Sequence, residues 1–417
     1  MPYQDPIATA EEKLSALSSL DPDQTEFYAS LTALIQSKLY HQVTVAIHEF
    51  TSSPTNANIG NDNDAESNNF LTVYAILLSF KSKLNPLMLA RIACNVSVSQ
   101  GQTVGGGITI LKELLETDEI KSAPHAKLFT EAKLHLLQMN VTAASDTESS
   151  TSASTSTLTP ASEEAQVKKF LKDNALTLQE LSNSTESEVA VVHSAYYLTA
   201  KELYKKVGPA EDFYKNAISY LQYTPLSDLE AGEVNILARD LSLSALVGKG
   251  VYNLGTVVYE NGTLLDVLKD TEDGYLVELM KSLARGDVAA VKALESHKAQ
   301  LEAQGCDLKV IHEKIMLLAL VNMVFEKESN ERSMKFDDIA KRLEVDLDQV
   351  EWIIMKALSL GLIKGSMDQV DGFVEITWVM PRVLDENMMK GLSEKFGAWA
   401  VKVGETRAYM TEHIPAI

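Results

Sequence analysis

Apolar residues recur at three- and four-residue steps along most of this chain, which predicts one helix after another. Phe27, Leu31, Leu34, Ile35 and Leu39 share one helical face. Asp21-Pro22-Asp23-Gln24 precedes them as an N-cap, a first-turn proline and an N3 glutamine in order. Phe70 to Phe80 is apolar almost all round, the mark of a helix with neighbours on two sides. Further stripes are Leu87, Ile92 and Val96; then Ile108, Leu111, Leu114 and Leu115; then Leu128, Ala132 and Leu136. The helix Glu188 to Val207 stops at Gly208-Pro209, and Phe213, Ala217, Ile218 and Leu221 resume the period, which predicts an αα-hairpin. Ser227-Asp228-Leu229-Glu230 has the spacing of a capping box and is expected to open another helix. Successive helices on short turns predict a solenoid of helix pairs, although no fixed-period consensus accompanies them. Two polar tracts interrupt the array, at 51–69 and at 142–159. The first is rich in Asn, Asp, Ser and Thr and the second in Ser and Thr, and both are expected to be disordered loops or linkers.

From Met334 the pattern changes to helix, turn, helix, two-stranded wing and one long tail helix. Asp346 with Gln349 three residues on has a capping pattern. Leu347, Val350, Ile354, Ala357 and Leu358 follow at helical spacing, and Gly361 is the stop. A polar turn, Gly365 to Gly372, separates Leu362-Ile363-Lys364 from the run Phe373 to Met380. In that run Val374, Ile376, Trp378 and Met380 alternate onto one face, as in a half-buried strand, until Pro381 ends it. This is a winged helix, a module that binds DNA or protein. Beyond it Met389, Leu392, Phe396, Trp399 and Val403 form one apolar stripe on a terminal helix. Gly391, Gly397 and Gly404 in the same helix each weaken it by about 1 kcal/mol relative to alanine. Such a helix is expected to order against partners rather than on its own domain.

Charge separates the two uses of the winged helix. The chain has 37 basic and 58 acidic residues, a net charge of −21. The second helix offers Asp348 and Glu351 against a single Lys356, and the wing adds Asp368, Asp371 and Glu375. A major-groove reader needs Arg, Lys, Asn or Gln on that face and basic flanks for phosphate. Contact with protein is therefore expected, with Glu351 and Lys364 as candidate contact residues and no nucleic acid.

At 417 residues, 45% of them hydrophobic, the chain exceeds one ordinary core and has room for two or three domains. Cys94 and Cys306 occupy apolar helical stretches and read as reduced core thiols of a cytosolic or nuclear protein. No signal peptide and no membrane-spanning run is expected. His312-Glu313 falls short of a zinc-protease motif, because Met316 stands where the second histidine is needed. The glycines of Gly248 to Gly255 and of Gly101 to Gly107 lack the Lys-Ser/Thr ending of a phosphate loop, so a close approach of helices is the better account. No catalytic residue, metal site or cofactor is expected, and the chain is not read as an enzyme.

A helical array ending in a winged helix resembles the PCI family, shared by the proteasome lid, the COP9 signalosome and a translation initiation factor. Three strings are similar to a PCI subunit of the proteasome regulatory-particle lid: Val350 to Ser366, Thr377 to Asp385, and Gly250-Val251-Tyr252-Asn253-Leu254-Gly255. The resemblance covers roughly Val189 to Val403. It implies a mainly α fold: a right-handed helical-repeat array, a PCI domain of helical bundle plus winged helix, and a C-terminal tail helix. The expected layout is helical repeats over 1–185, the helical part of the PCI domain over 186–330, the winged helix over 331–381 and an assembly helix over 382–417. The resemblance also implies a non-catalytic scaffold in cytoplasm and nucleus. Family subunits associate side by side through their winged helices and gather their terminal helices into a bundle, while the deubiquitinating and ATPase activities lie in other subunits. Alternatives are a scaffold of the COP9 signalosome or of the initiation factor, and a winged-helix nucleic-acid binder.

Overall fold

A computed structural model describes residues 6–20, 24–52, 69–99, 104–147, 160–182, 189–286, 297–327, 332–383 and 386–413. The chain forms two compact units. One comprises Met1–Gly208 with Ser219–Thr224, the other Pro209–Ile218 with Pro225–Ile417.

The first unit is built from α1 (Pro6–Leu20), α2 (Thr25–Gln36), α3 (Tyr40–Ser52), α4 (Asn69–Leu78), α5 (Pro86–Ser99), α6 (Val104–Glu116), α7 (Asp118–Ser122), α8 (Pro124–Thr147), α9 (Pro160–Ser182) and α10 (Val189–Val207). Neighbours in sequence pack together, α1 on α2, α2 on α3, α5 on α6 and α9 on α10, so each helix covers the apolar stripe of the next. One continuous apolar core runs from Ala10 to Leu203. In α2 the stripe buries Tyr28, Leu31 and Ile35, and Phe27 stacks on Phe50 of α3 at 4.4 Å between ring centroids. Helix α4 buries Phe70, Val73, Tyr74, Ile76 and Leu77, as its all-round apolarity predicts. Helix α10 is tied in by polar bonds as well. Tyr196 donates to the Leu171 carbonyl at 2.7 Å, and Thr199 to that of Ala132 at 3.0 Å.

Several boundaries differ from the sequence pattern. Helix α2 starts at Thr25, later than the Asp21-Pro22 signal; Asp21 to Asp23 lie outside the described residues. Residues 142–147 continue α8 rather than opening a loop, because Ser and Thr are tolerated at the end of an established helix. The remainder of that tract, 148–159, and 53–68 of the first lie outside the described residues. Cys94 and Cys306 are free and buried, and burial pushes the Cys94 thiol up to about 12.

Helix α11 (Ala210–Tyr223) gives its first half to the second unit. Then follow α12 (Ala231–Val247), α13 (Gly262–Asp266), α14 (Gly274–Arg285), α15 (Lys298–Ala303) and α16 (Leu308–Glu326). The Ser227 capping box does not form. Leu226–Asp228 is a short 3-10 turn, Ser227 donates to the adjacent Asp228 carboxylate, and α12 begins after Glu230 with no side-chain cap. Helix α16 is the hub. It packs on α12 and α14, and its burial is continuous from Lys314 to Asn322.

Helix α14 ends on Gly286 with φ +66°, and a Cβ there would fall 2.0 Å from Asn322 Nδ2 of α16. Gly286→Ala is therefore expected to destabilise the unit by about 2 kcal/mol, from left-handed strain plus the clash, read as a lower urea midpoint.

The winged helix comprises β1 (Ser333–Lys335), α17 (Phe336–Leu343), α18 (Leu347–Ser359), β2 (Ile363–Asp368) and β3 (Phe373–Val379). Its sheet has three antiparallel strands in the order β1-β3-β2, not the two expected. Strand β1 is too short for its alternation to register in the sequence. Asp346 does precede α18, but its side chain makes no cap bond; its carbonyl accepts from the Gln349 N–H at 3.0 Å. Gly361, at φ +69°, follows the helix as predicted. Gly365 to Asp368 belong to β2, so the turn shrinks to Gln369–Gly372.

The alternation of β3 also breaks. Lys364 pairs with Trp378 but Gly365 pairs with Ile376, which leaves Thr377 as an extra residue. Such a bulge moves every later side chain to the other face. Val374 and Ile376 point into the core, and Val379 takes the inward place expected for Trp378. A Cβ at Gly365 would lie 2.0 Å from the Glu375 carbonyl oxygen, so glycine is what lets the strands approach there.

Candidate assembly surfaces

Helix α18 turns Val350, Ile353, Ile354 and Ala357 inward against Ile339, Leu343, Ile363 and Val374. Its outer face carries Leu347, Trp352 and Met355, all exposed, beside the exposed Asp348. Lys356 Nζ lies 4.6 Å from the Trp352 ring centroid and pairs with Glu313 of α16. A second such pair stands on the sheet, where Lys364 Nζ is 5.0 Å from the Trp378 ring. Each lysine covers an indole and holds a cation over its negative face. The bulge at Thr377 creates the second pair by turning Trp378 outward.

Glu351 is only half-exposed. Its carboxylate accepts from Gln369 Nε2 at 3.1 Å, which ties α18 to the tip of the wing. Lys364 is exposed, as expected.

Helix α19 (Glu386–His413) is the tail. All five stripe residues are exposed: Met389, Leu392, Phe396, Trp399 and Val403, with Phe396 at 61% and Trp399 at 65%. Nine of the twenty-one exposed large apolar side chains among the described residues lie on this one helix. Added Cβ atoms at Gly391, Gly397 and Gly404 would meet no atom within 4 Å, so no neighbour inside the chain calls for glycine there. So large an apolar surface on one element is the mark of an interaction site.

A buried lysine and a half-buried arginine brace the bundle. Lys314 of α16 is 3% exposed, and its ammonium donates to the carbonyls of Ala245 and Gly248 at 2.5 and 2.8 Å. It caps the C-terminus of α12, where cations are favoured. Desolvation pulls its pKa down to about 7, against the opposing pull of Glu211. Arg382, just past β3, donates in the same way to the Ala284 carbonyl near the end of α14. Desolvation lowers its pKa as well. Sequence reasoning passed over both, although a lysine preceding the apolar run Ile315 to Val321 is itself a signal.

The Gly248 to Gly255 loop serves packing. A Cβ at Gly250 would collide with the Glu211 carboxylate and one at Gly255 with Val383, while Tyr214 bonds to the Asn253 carbonyl. His312 is exposed, and among the described residues no group of three or more His, Cys, Asp or Glu is placed to hold a metal ion. Among the described residues no helix is long and apolar enough to cross a membrane.

A helical-repeat array followed by a bundle with a winged helix defines a PCI-type protein, and the PCI domain model matches residues 294–378. The chain belongs to the family described as PSD13 N-terminal repeats, whose model matches residues 27–280. Among curated proteins it is similar to the 26S proteasome non-ATPase regulatory subunit 13 homolog A of Arabidopsis thaliana, 29% identical over 95% of this chain and 96% of the relative. The 26S proteasome non-ATPase regulatory subunit 13 of Dictyostelium discoideum is 28% identical over 94% of each. The 26S proteasome regulatory subunit RPN9 of Saccharomyces cerevisiae is 31% identical over 50% of this chain and 53% of the relative.

Proposed function

We propose that this chain is a non-catalytic structural subunit of the proteasome regulatory-particle lid, supporting assembly of the particle and so ubiquitin-dependent degradation. The carrying observation is full-length likeness to subunits named as regulatory and non-ATPase, joined to a fold whose conspicuous features are outward apolar surfaces. The partners are other PCI and lid subunits, met through the winged helix and the tail, in cytoplasm and nucleus. The acidic carboxylates around α18 support protein rather than nucleic acid at that face. The test is purification of the tagged chain under native conditions. Recovery of regulatory-particle subunits is expected. Recovery of signalosome or initiation-factor subunits instead would transfer the chain to another PCI scaffold. Peptidase, deubiquitinase or ATPase turnover lost on changing one residue of the chain would overturn the scaffold reading.

Glu351→Lys with Lys364→Glu is expected to weaken the contact of the winged helix with its neighbour without unfolding the chain. Lys364 is exposed and Glu351 half-exposed, so loss of the Trp378 contact and of the Gln369 bond is expected to cost about 1 kcal/mol each at most. The double variant should melt within a few degrees of wild type yet be recovered in fewer assembled particles. Normal recovery would move the interface elsewhere on the domain.

A further inference from the structure

His193 of α10 is 2% exposed, and among the described residues neither of its ring nitrogens has a hydrogen-bond partner. A neutral imidazole carries one N–H and one bare nitrogen, so a donor and an acceptor are both left unmet. Phenylalanine would fill the same place with no polar atom to leave unbonded. Aromatic faces enclose the ring. Tyr223 of α11 stacks on it at 4.5 Å and 13°, and Tyr197, one turn along α10, at 6.2 Å and 22°. Both tyrosines are half-buried, so the imidazole lies one ring away from water. Three contacts join the end of α11 to α10 here: the His193–Tyr223 stack, a 2.7 Å bond between the Ser194 and Thr224 hydroxyls, and a bond between the Tyr197 and Ser219 side chains. The turn they hold, Ser219–Thr224, belongs to the first unit, while the chain before and after it belongs to the second.

Among the described residues the charged groups of the surrounding helices are engaged elsewhere. On α10 Lys201 pairs with Glu202 and lies over Tyr220. On α8 Glu131 pairs with Lys127, and His135 turns to Phe170 of α9. Glu163 of α9 feels Lys206, and Lys215 of α11 pairs with Glu211. The titratable groups in contact with the ring are Tyr197 and Tyr223, and a phenol carries no charge between about pH 5 and 8. Burial is what acts on the imidazole, and it lowers the pKa from the ordinary 6.5. We infer that His193 and its two tyrosines form a proton-operated latch, closed while the imidazole is neutral and opened by its protonation, which releases the end of α11 from α10. An imidazolium has a charge and two N–H donors to hydrate, and the stacked rings exclude the water it needs. It must therefore leave the stack. The inference does not depend on the scaffold reading.

The test is hydrogen exchange on the full chain, read by mass spectrometry as the protection of amides 219–224 after correction for the intrinsic effect of pH. For a ring that stays neutral when closed and titrates at 6.5 when open, going from pH 7.5 to 5.5 favours opening about tenfold. Wild type is expected to lose that protection, and His193→Phe to keep it. Exchange of the His193 ring C2–H reports its titration directly and needs no variant; the midpoint is expected below 6.5 in wild type and near 6.5 in Tyr223→Leu, which strips the cover. Equal losses in wild type and His193→Phe would overturn the inference. So would a loss spread evenly over α2 to α9, which is general acid unfolding, or a wild-type C2–H midpoint at 6.5 or above.

Discussion

Replacing Leu392, Phe396 and Trp399 together by alanine is expected to strip the chain from assembled particles while leaving its melting temperature almost unchanged. Each of these side chains is worth about 1.5–3 kcal/mol when fully buried. In the chain alone all three are exposed, so almost none of that energy is realised within the fold. Their removal therefore withdraws several kcal/mol from an assembled bundle and very little from the monomer, by the same per-residue figure of about 1.5–3 kcal/mol. Alanine also raises helix propensity slightly over Phe and Trp, which keeps the free helix from melting for trivial reasons. The measurement is paired: calorimetry on the isolated chain and co-purification from cells. A large fall in melting temperature with normal co-purification would place the stripe against its own domain.

The second large effect concerns Lys314. Desolvation pulls its pKa down to about 7 in the fold, from the 10.5 that is ordinary for a lysine. Between these values the unfolded chain holds a proton that the folded chain has lost, so the unfolded state binds more protons and stability rises with pH. Below about pH 7 both states are protonated and the full desolvation cost of the ammonium is present. Comparison with Lys314→Met removes the contributions of other titrating groups. Between pH 7.5 and 9.5 wild type is expected to gain about 2–3 kcal/mol over the variant in urea denaturation. Parallel pH profiles for the two proteins would show that Lys314 keeps an ordinary pKa and that solvent reaches the end of α12.

Much of the fold was legible because its elements are long and each buries one stripe. The three-four period located α2, α10, α18 and α19, and glycine at Gly361 marked a real helix end. The tail stripe was readable for the same reason. What failed was short or non-local. Strand β1 spans three residues, too few for a period. The Ser227 capping box had the right letters, but the chain spends them on a 3-10 turn. The alternation of β3 gave Val374 and Ile376 correctly and Trp378 wrongly, because a bulge is set by the partner strand at Gly365 and leaves no mark in the strand's own period.

The sequence by itself determined a helical array, a winged helix and a terminal amphipathic helix, since each follows from periodicity within a single segment and local hydrogen bonding. It also determined the acidic charge that argues against a polyanion. The tertiary structure decided which apolar residues are spent on the core and which are left outside. Leu347, Trp352 and Met355 look like core letters in α18, yet only its other face meets α17 and the sheet. It likewise decided that Lys314 and Arg382 are internal caps rather than surface charges, because the carbonyls they serve lie 66 to 98 residues away in sequence. Burial and hydrogen-bond satisfaction depend on which segments meet, and that is fixed only when the helices have packed.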